Sequence, residues 1–302
     1  MKTRKFLALL LVFALFLTGC SKPDEQEEET STEETTTEAE PMPYPVVIND
    51  TEIPFKPEKV VCLSPAITEI IYELGYGDTI IGRSSYCVYP DEITKVKDVG
   101  SAANPNINNI TDLMPNLVIT STPIASKDIF TMEQAGIATV VIPAPTSLEG
   151  FSSVYTALGL IYEGLFTGTE TGEAAYSNIS KLLGNTDAVN IGSFIYVTEG
   201  LAIAGGDTFE SAVLSCFGTN IAKSGTGYGY DKAQLADNQP EIVLVNAKYT
   251  RDMLLEDEIL GQLDAVQDNM IIYIDNIFFE RPTARISMLV NDLLTDYRGL
   301  TS

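Results

Sequence analysis

Apolar residues in this chain gather into short runs, and each run is followed by a segment in which they recur every three or four positions. The first run is Val60-Val61-Cys62-Leu63. An unbroken, β-branched run of this length predicts a strand buried on both faces. Ser64-Pro65 follows, a helix N-cap with proline at the first helical position. Ile67, Ile70, Ile71 and Leu74 then fall at i, i+3, i+4 and i+7, and Gly75 stops the helix. The same reasoning predicts strands at 79–82, 117–120 and 139–142, with a helix ending near Gly136 before the last of them. Between 148 and 183 the alternation is interrupted by two consecutive helical patterns, 148–162 and 170–183, with no strand between. In the second, Ala175, Ile179, Leu182 and Leu183 share one face. Strands resume at 193–197, 242–245 and 270–274, with helices around 209–217 and 254–263. A last helix places Ile286, Leu289, Val290 and Leu293 on one face. Strands alternating with helices predict parallel sheets, and the interruption divides them into two α/β lobes joined by a helix.

The first forty residues follow another pattern. Lys2, Arg4 and Lys5 precede twelve apolar residues, Phe6 to Leu17, and then Thr18-Gly19-Cys20. A charged start, a short apolar stretch and small residues before a break predict a secretory signal peptide over 1–19. Twelve residues are too few for a permanent membrane helix. Leu17-Thr18-Gly19-Cys20 resembles the bacterial lipoprotein signal, which implies cleavage before Cys20 and lipidation of its sulfur, two acyl chains being enough for stable residence on a bilayer. Residues 20–45 are rich in Glu, Thr, Ser and Pro. Nine acidic residues and one lysine lie between Ser21 and Pro43. Such a segment buries too little apolar surface to offset its ordering entropy and predicts a disordered tether.

Charge narrows the partners. The formal net charge is −24, and the signal (+3) and tether (−8) leave −19 on the remainder. Nucleic acid is therefore a poor partner. The chain contains no histidine, which removes His-ligated zinc or haem and Ser-His-Asp chemistry. Beyond Cys20 the thiols are Cys62, Cys87 and Cys216, without CxxC spacing. No metal framework or cofactor is implied. For Cys62 and Cys216 a buried, inert thiol is the default reading; Cys87 falls in a loop, and a Cys62–Cys87 disulfide between neighbouring strand ends is the alternative.

Five segments, in order, carry a resemblance to a known family. They are Ser64-Pro65-Ala66-Ile67-Thr68-Glu69; Gly82 through Pro90; Val99-Gly100 to Asn106-Ile107, with Leu113-Met114-Pro115-Asn116-Leu117; Gln239-Pro240-Glu241-Ile242; and Phe279-Glu280-Arg281-Pro282-Thr283-Ala284-Arg285. The chain resembles the helical-backbone (class III) substrate-binding lipoproteins of ABC importers for cobalamin, ferric siderophores and haem, and most of all the cobalamin-binding member. The resemblance implies two parallel-sheet lobes bridged by one long rigid helix, with the ligand cleft between them. Its expected divisions are an N-terminal lobe at 46–166, the bridging helix at 167–188 and a C-terminal lobe at 189–302. It also implies a monomer on the outer face of the cytoplasmic membrane, held by lipid on Cys20, that delivers a corrinoid or ferric complex to a permease and its ATPase and performs no covalent chemistry.

Ligands of parallel α/β lobes sit beyond the carboxyl ends of the strands. Loops leaving the predicted strand ends supply candidate contacts at Ser64, Ser85, Tyr86, Tyr89, Ser121, Tyr228, Tyr249, Phe278 and Phe279. Arg83 and Arg281 are candidate anion holders, with Lys248, Arg251 and Arg285 nearby. The family meets its permease through a glutamate on each lobe. The matching positions here are Asn108 and Ala233, neither acidic, with Asp112 and Asp231 close enough to substitute. The tryptophans of the cobalamin-binding member are absent, since the chain has none. A ferric siderophore or haem receptor therefore stands as the alternative. Readings from other classes are a cell-surface hydrolase or chelatase, which lacks GxSxG and histidine, and a ligand-capturing lipoprotein without a transporter.

Overall fold

The computed structural model describes residues 42–185 and 189–302. The expectations for the signal peptide, the lipidated Cys20, most of the tether and the last three residues of the predicted 167–188 bridge lie outside the described residues. Among those described, no helix is long and apolar enough to cross a membrane.

The N-terminal lobe opens with a hairpin, β1 (Val46–Ile48) and β2 (Thr51–Ile53), that periodicity did not predict. Its tip, Asn49-Asp50, takes positive φ at both positions, the conformation that closes tight hairpins. Then come β3 (Val60–Cys62), α1 (Pro65–Glu73), β4 (Ile80–Arg83), β5 (Lys97–Asp98), the two-residue strands β6 (Gly100–Ser101) and β7 (Asn104–Pro105), α2 (Ile107–Asp112), β8 (Leu117–Thr120), α3 (Ser126–Gln134) and β9 (Ala138–Val141). Five strands form one all-parallel sheet in the order β5-β4-β3-β8-β9. Side chains of β3 divide by parity. Val60 and Cys62 enter the main core, while Val61 and Leu63 enter a second core on the other face with Val118 and Ile110. Burial on both faces explains the continuous apolar run.

The C-terminal lobe repeats the scheme with β10 (Ser193–Val197), β11 (Thr219–Asn220), β12 (Ile242–Asn246) and β13 (Ile271–Ile274), all parallel in the order β11-β10-β12-β13. Ile242 and Leu244 join the main core, whereas Val243 and Val245 face a separate C-terminal cluster.

Between the lobes lies α4, Leu148–Gly184, broken at Gly164. The break is a reversal. Tyr176 Oη donates to Leu148 O at 3.3 Å although 28 residues separate them, a separation that would span about 42 Å in a straight helix. The two predicted helical patterns thus form an antiparallel pair of arms, 148–163 and 165–184. Glycines let the arms touch backbone to backbone: a Cβ on Gly159 would lie 2.1 Å from Gly168 O, and one on Gly172 2.5 Å from Tyr155 O. Gly164 turns the chain with φ 70°, and Pro43 O accepts from Leu165 N at 2.8 Å beside it. Phe151 packs edge-on to Tyr155, Tyr176 and Phe209, the last from α5 (Phe209–Leu214) of the C-terminal lobe. One apolar cluster therefore runs from Ile70 and Val140 through the arms to Phe194 and Leu293. The lobes share a core, which resists a free hinge.

The remaining helices are α6 (Arg251–Leu255), α7 (Asp264–Gln267), α8 (Ile277–Glu280) and α9 (Ile286–Thr301). The helix expected around 254–263 is instead α6, a 3-10 turn at Leu260–Gln262 and α7. Asp257 sets this interruption, its Oδ1 accepting from Ile259 N and Leu260 N. The helix expected to hold Cys216 stops at Leu214, so that thiol lies beyond it and is partly exposed. Cys62 and Cys87 are buried free thiols.

Candidate functional site

Both sheets direct the carboxyl ends of their strands toward the junction of the lobes. There a cavity of about 70 Å³ is enclosed by Ser64 after β3, Ser121 after β8, Ile142 to Pro145 after β9, Val154 of α4, and Glu280 and Pro282 from the C-terminal lobe. Ser64 is fixed as the N-cap of α1, its hydroxyl accepting from Ile67 N. The loop after β9 was missed in the sequence, although Pro143 and Pro145 directly behind a strand end mark it as a rigid lining element.

The other candidates divide into two sets. Tyr86 (63 % exposed), Tyr89 (48 %) and Tyr228 (51 %) stand open, the first two on the loop after β4 and the third after β11. Ser85 is exposed and donates to Asp98 Oδ1 at 2.9 Å. Tyr249, Phe278 and Phe279 are buried. Tyr249 belongs to the C-terminal cluster, with its hydroxyl accepting from Leu201 N at 3.3 Å. Phe279 packs edge-on against Tyr196 and Phe209, and Phe278 lies beneath the Arg285 guanidinium. These three rings are packed into the cores of the protein and are not exposed walls.

Of the basic residues considered as anion holders, Arg83, Arg251, Lys248 and Arg285 have their charge engaged within the protein. Arg83 donates to Val96 O at 3.2 Å and Ser84 O at 3.0 Å and faces Asp98 at 3.8 Å. Arg251 donates to Val266 O and Gln267 O. Lys248 pairs with Glu199. Arg285 binds Glu69 at 3.2 Å and covers the Tyr89 ring at 4.8 Å. Arg281 stands close enough to Glu69 to favour its charged form.

Glu69 and Glu73, on successive turns of α1, face the C-terminal lobe. Glu69 accepts from Thr283 Oγ1 and Arg285, and Glu73 accepts from Ala284 N at 3.1 Å and from Tyr155 Oη at 2.6 Å. Burial raises the pKa of both carboxyls; Arg285 opposes the rise at Glu69, and the Tyr155 hydroxyl opposes it at Glu73. This two-carboxylate latch pins one lobe to the other beside the cavity. Across from it, Glu280 accepts from Asn276 Nδ2 at 2.9 Å, and buried Glu210 accepts from Tyr228 Oη at 2.8 Å. Burial, then Glu210, raises the Tyr196 hydroxyl pKa, with Tyr228, Glu280 and Asp275 adding to the effect. Among the described residues no three His, Cys, Asp or Glu side chains gather at metal-binding distance.

The four docking candidates are exposed. Asn108 and Asp112 lie on α2, and Ala233 lies in the 3-10 turn Lys232–Ala236. Asp231 caps that turn through Ala233 N at 3.0 Å.

A model of the family described as periplasmic binding protein matches residues 60–165, from β3 to the first arm of α4. The match covers 106 of the 302 residues, about a third of the chain. Among curated relatives, the uncharacterized ABC transporter substrate-binding lipoprotein YvrC of Bacillus subtilis (strain 168) is 32 % identical over 161 residues, covering 52 % of this chain and 49 % of that protein. The chain thus spans about half the length of that relative. A vitamin B12-binding protein of Vibrio campbellii is 23 % identical over 250 residues, covering 80 % and 90 % of the two chains. Among solved structures, the periplasmic heme-binding protein HutB of Vibrio cholerae superposes with a TM-score of 0.66 at 17 % identity, covering 81 % of this chain and 99 % of that one. The fold found here, two parallel-sheet lobes with long helical structure between them, is like that of these solved structures.

Proposed function

We propose that the chain is the extracytoplasmic solute-binding protein of an ABC importer, capturing a corrinoid or a ferric complex and passing it to a membrane permease. The observation that carries this reading is the facing of two all-parallel sheets, carboxyl ends inward, across one cavity. That is where open α/β sheets bind ligands. The corrinoid is favoured over haem and ferric siderophore by the B12-binding relative that matches across both lobes. The enclosed space of about 70 Å³ is well below the ~300–1,000 Å³ of ordinary ligand pockets. A bulky complex therefore rests on the mouth, against Tyr86 and Tyr228 on opposite lobes, with Ser64, Ser121 and the Glu280–Pro282 segment beneath.

Lipid on Cys20 would keep the protein at the outer face of the cytoplasmic membrane and raise its effective concentration at the permease. Asp112 and Asp231 flank the positions where the family places docking charges and are the groups proposed to meet permease cations. The binding test is titration of the purified full-length protein with cobalamin, cobinamide, ferric hydroxamate, ferric catecholate and haem, followed by tyrosine fluorescence. Micromolar or tighter affinity for one of them is expected; none for all five would refute the reading. For docking, Asp112→Lys with Asp231→Asn, which keeps the capping acceptor, is expected to impair uptake without changing ligand affinity. Unaltered uptake would retire the docking assignment.

A further inference from the structure

Glu210 is buried in the first turn of α5, 6 % exposed, and among the described residues it forms no salt bridge. Its side-chain partner is the Tyr228 phenol, which donates to Oε1 at 2.8 Å. Burying a carboxyl without a cation is unfavourable. The amino end of a helix favours an acidic side chain, but that benefit does not require burial. A buried carboxyl at this position therefore points to a role that an apolar side chain could not fill.

Its neighbours fix where it acts. Phe209, the preceding residue, packs against Phe151 of the first arm of α4 and against Phe279, so α5 is rooted in the core shared by the lobes. Tyr228 stands outside that core, 51 % exposed, between Gly227 and Gly229. The backbone of its loop is tied down: Gly205 N donates to Gly227 O at 2.7 Å, Gly206 N to Gly225 O at 3.1 Å, and Gly227 N to Asp207 Oδ1 at 2.6 Å. These bonds place the Cα of Tyr228 but do not choose the rotamer of its ring. The bond from the far end of the ring to Glu210 does. After burial itself, Glu210, Tyr228 and the cavity-lining Glu280 all raise the pKa of the Tyr196 hydroxyl, so the pair stands close to the cavity wall.

The binding function proposed above sets Tyr228 against the ligand, and the role of Glu210 rests on that reading. We propose that Glu210 is a positioning residue: it presets the Tyr228 ring at the mouth, so that a bulky ligand meets a fixed aromatic face and the ring has no rotamer freedom left to lose on binding.

The test is a mutant cycle on the full-length protein in detergent. Cyanocobalamin, cobinamide, ferric trihydroxamate, ferric tris-catecholate and haem are titrated calorimetrically, and the tightest binder serves as probe. Glu210→Leu should weaken the probe by roughly three- to tenfold, the factor for one side chain that must be ordered on binding. Glu210→Gln still offers an acceptor to the phenol and should stay within about twofold of the parent. Tyr228→Ala removes the ring, and in that background Glu210→Leu should change affinity by less than about twofold, because its effect passes through the ring. Equal losses with and without the tyrosine would make Glu210 a structural residue and overturn the proposal while the binding function stood. Tyr228→Phe deletes the same hydrogen bond from the exposed side, so the test does not depend on the folding of Glu210→Leu; it should weaken the probe by roughly the same three- to tenfold, and unchanged affinity would overturn the proposal. Absence of binding to all five complexes by protein with a native circular dichroism spectrum would remove the binding function, and the proposal with it.

Discussion

Arg285→Ala tests the latch between the lobes. The Glu69 side chain is 1 % exposed and that of Arg285 25 %, so removing the guanidinium strands a buried carboxylate that keeps only Thr283 Oγ1 as a donor. Breaking a buried pair from one side destabilises by about 3–5 kcal/mol. Water reaches the partly open Arg285 end, which places the loss near the lower limit, about 3 kcal/mol. For a folded part of this size that lowers Tm by about 6–12 °C. Acidity supplies a second signature. The Glu69 pKa is already raised in the folded protein by burial, with Arg285 holding it down; the variant raises it further. A carboxyl whose folded pKa exceeds its unfolded value stabilises the fold when protonated, and that contribution fades as pH climbs through the folded pKa. The deficit of the variant is therefore largest at neutral pH and shrinks as pH falls toward the ordinary glutamate range. Scanning calorimetry of both proteins at pH 7.5 and pH 5 measures it. A Tm loss under about 2 °C at pH 7.5, or an equal loss at both pH values, would refute the reasoning. Glu69→Leu with Arg285→Met, which removes both charges, should recover most of the stability.

Two further outcomes follow from the packing. Gly159→Ala sets a methyl group against Gly168 O, backbone to backbone with no side chain to yield, and should destabilise by roughly 2–4 kcal/mol; chemical denaturation measures the shift, and a neutral result would mean that the two arms are not in contact. Cys62 and Cys87 are buried, and burial lifts the Cys62 thiol to about 12, so iodoacetamide at pH 8 should label Cys216 in the native protein and reach the other two only after denaturation; native labelling of Cys62 would contradict the burial.

The strands were legible because both sheets are covered on both faces, which leaves runs such as Leu117–Thr120 buried at every position and apolar at the first three. Helix α1 was legible through its cap and its stop glycine. The hairpin of residues 46–53 was not: it has only three residues per strand, too few to establish a period of two. Among the site candidates, Ser64 and Ser121, chosen for their place at strand ends, line the cavity. Tyr249, Phe278 and Phe279, chosen on the same ground, are buried, because whether an aromatic at a strand end faces solvent depends on packing from the other side. Glu69 was visible as part of a helix start, but its partner lies 216 residues away, and a single sequence carries no sign of that pairing. The same limit applies to the basic residues. Their chemistry suggested anion binding, and only their neighbours reveal that the charge of Arg83, Arg251, Lys248 and Arg285 is already engaged.

The reversal at Gly164 also determines where mechanical load enters the molecule. Tyr162 meets Thr79, just ahead of β4, so the turn lies at the amino ends of the strands, on the side away from the cavity. Pro43 is hydrogen-bonded to that turn and Tyr44 Oη to Ile161 O. Tension applied at Met42 is thus delivered to the bend of a helical clamp shared by both lobes, and to neither rim of the cleft. A pull applied at Met42 should therefore not pry the rims apart, and a surface coupling or a bulky label attached there should leave the mouth unobstructed.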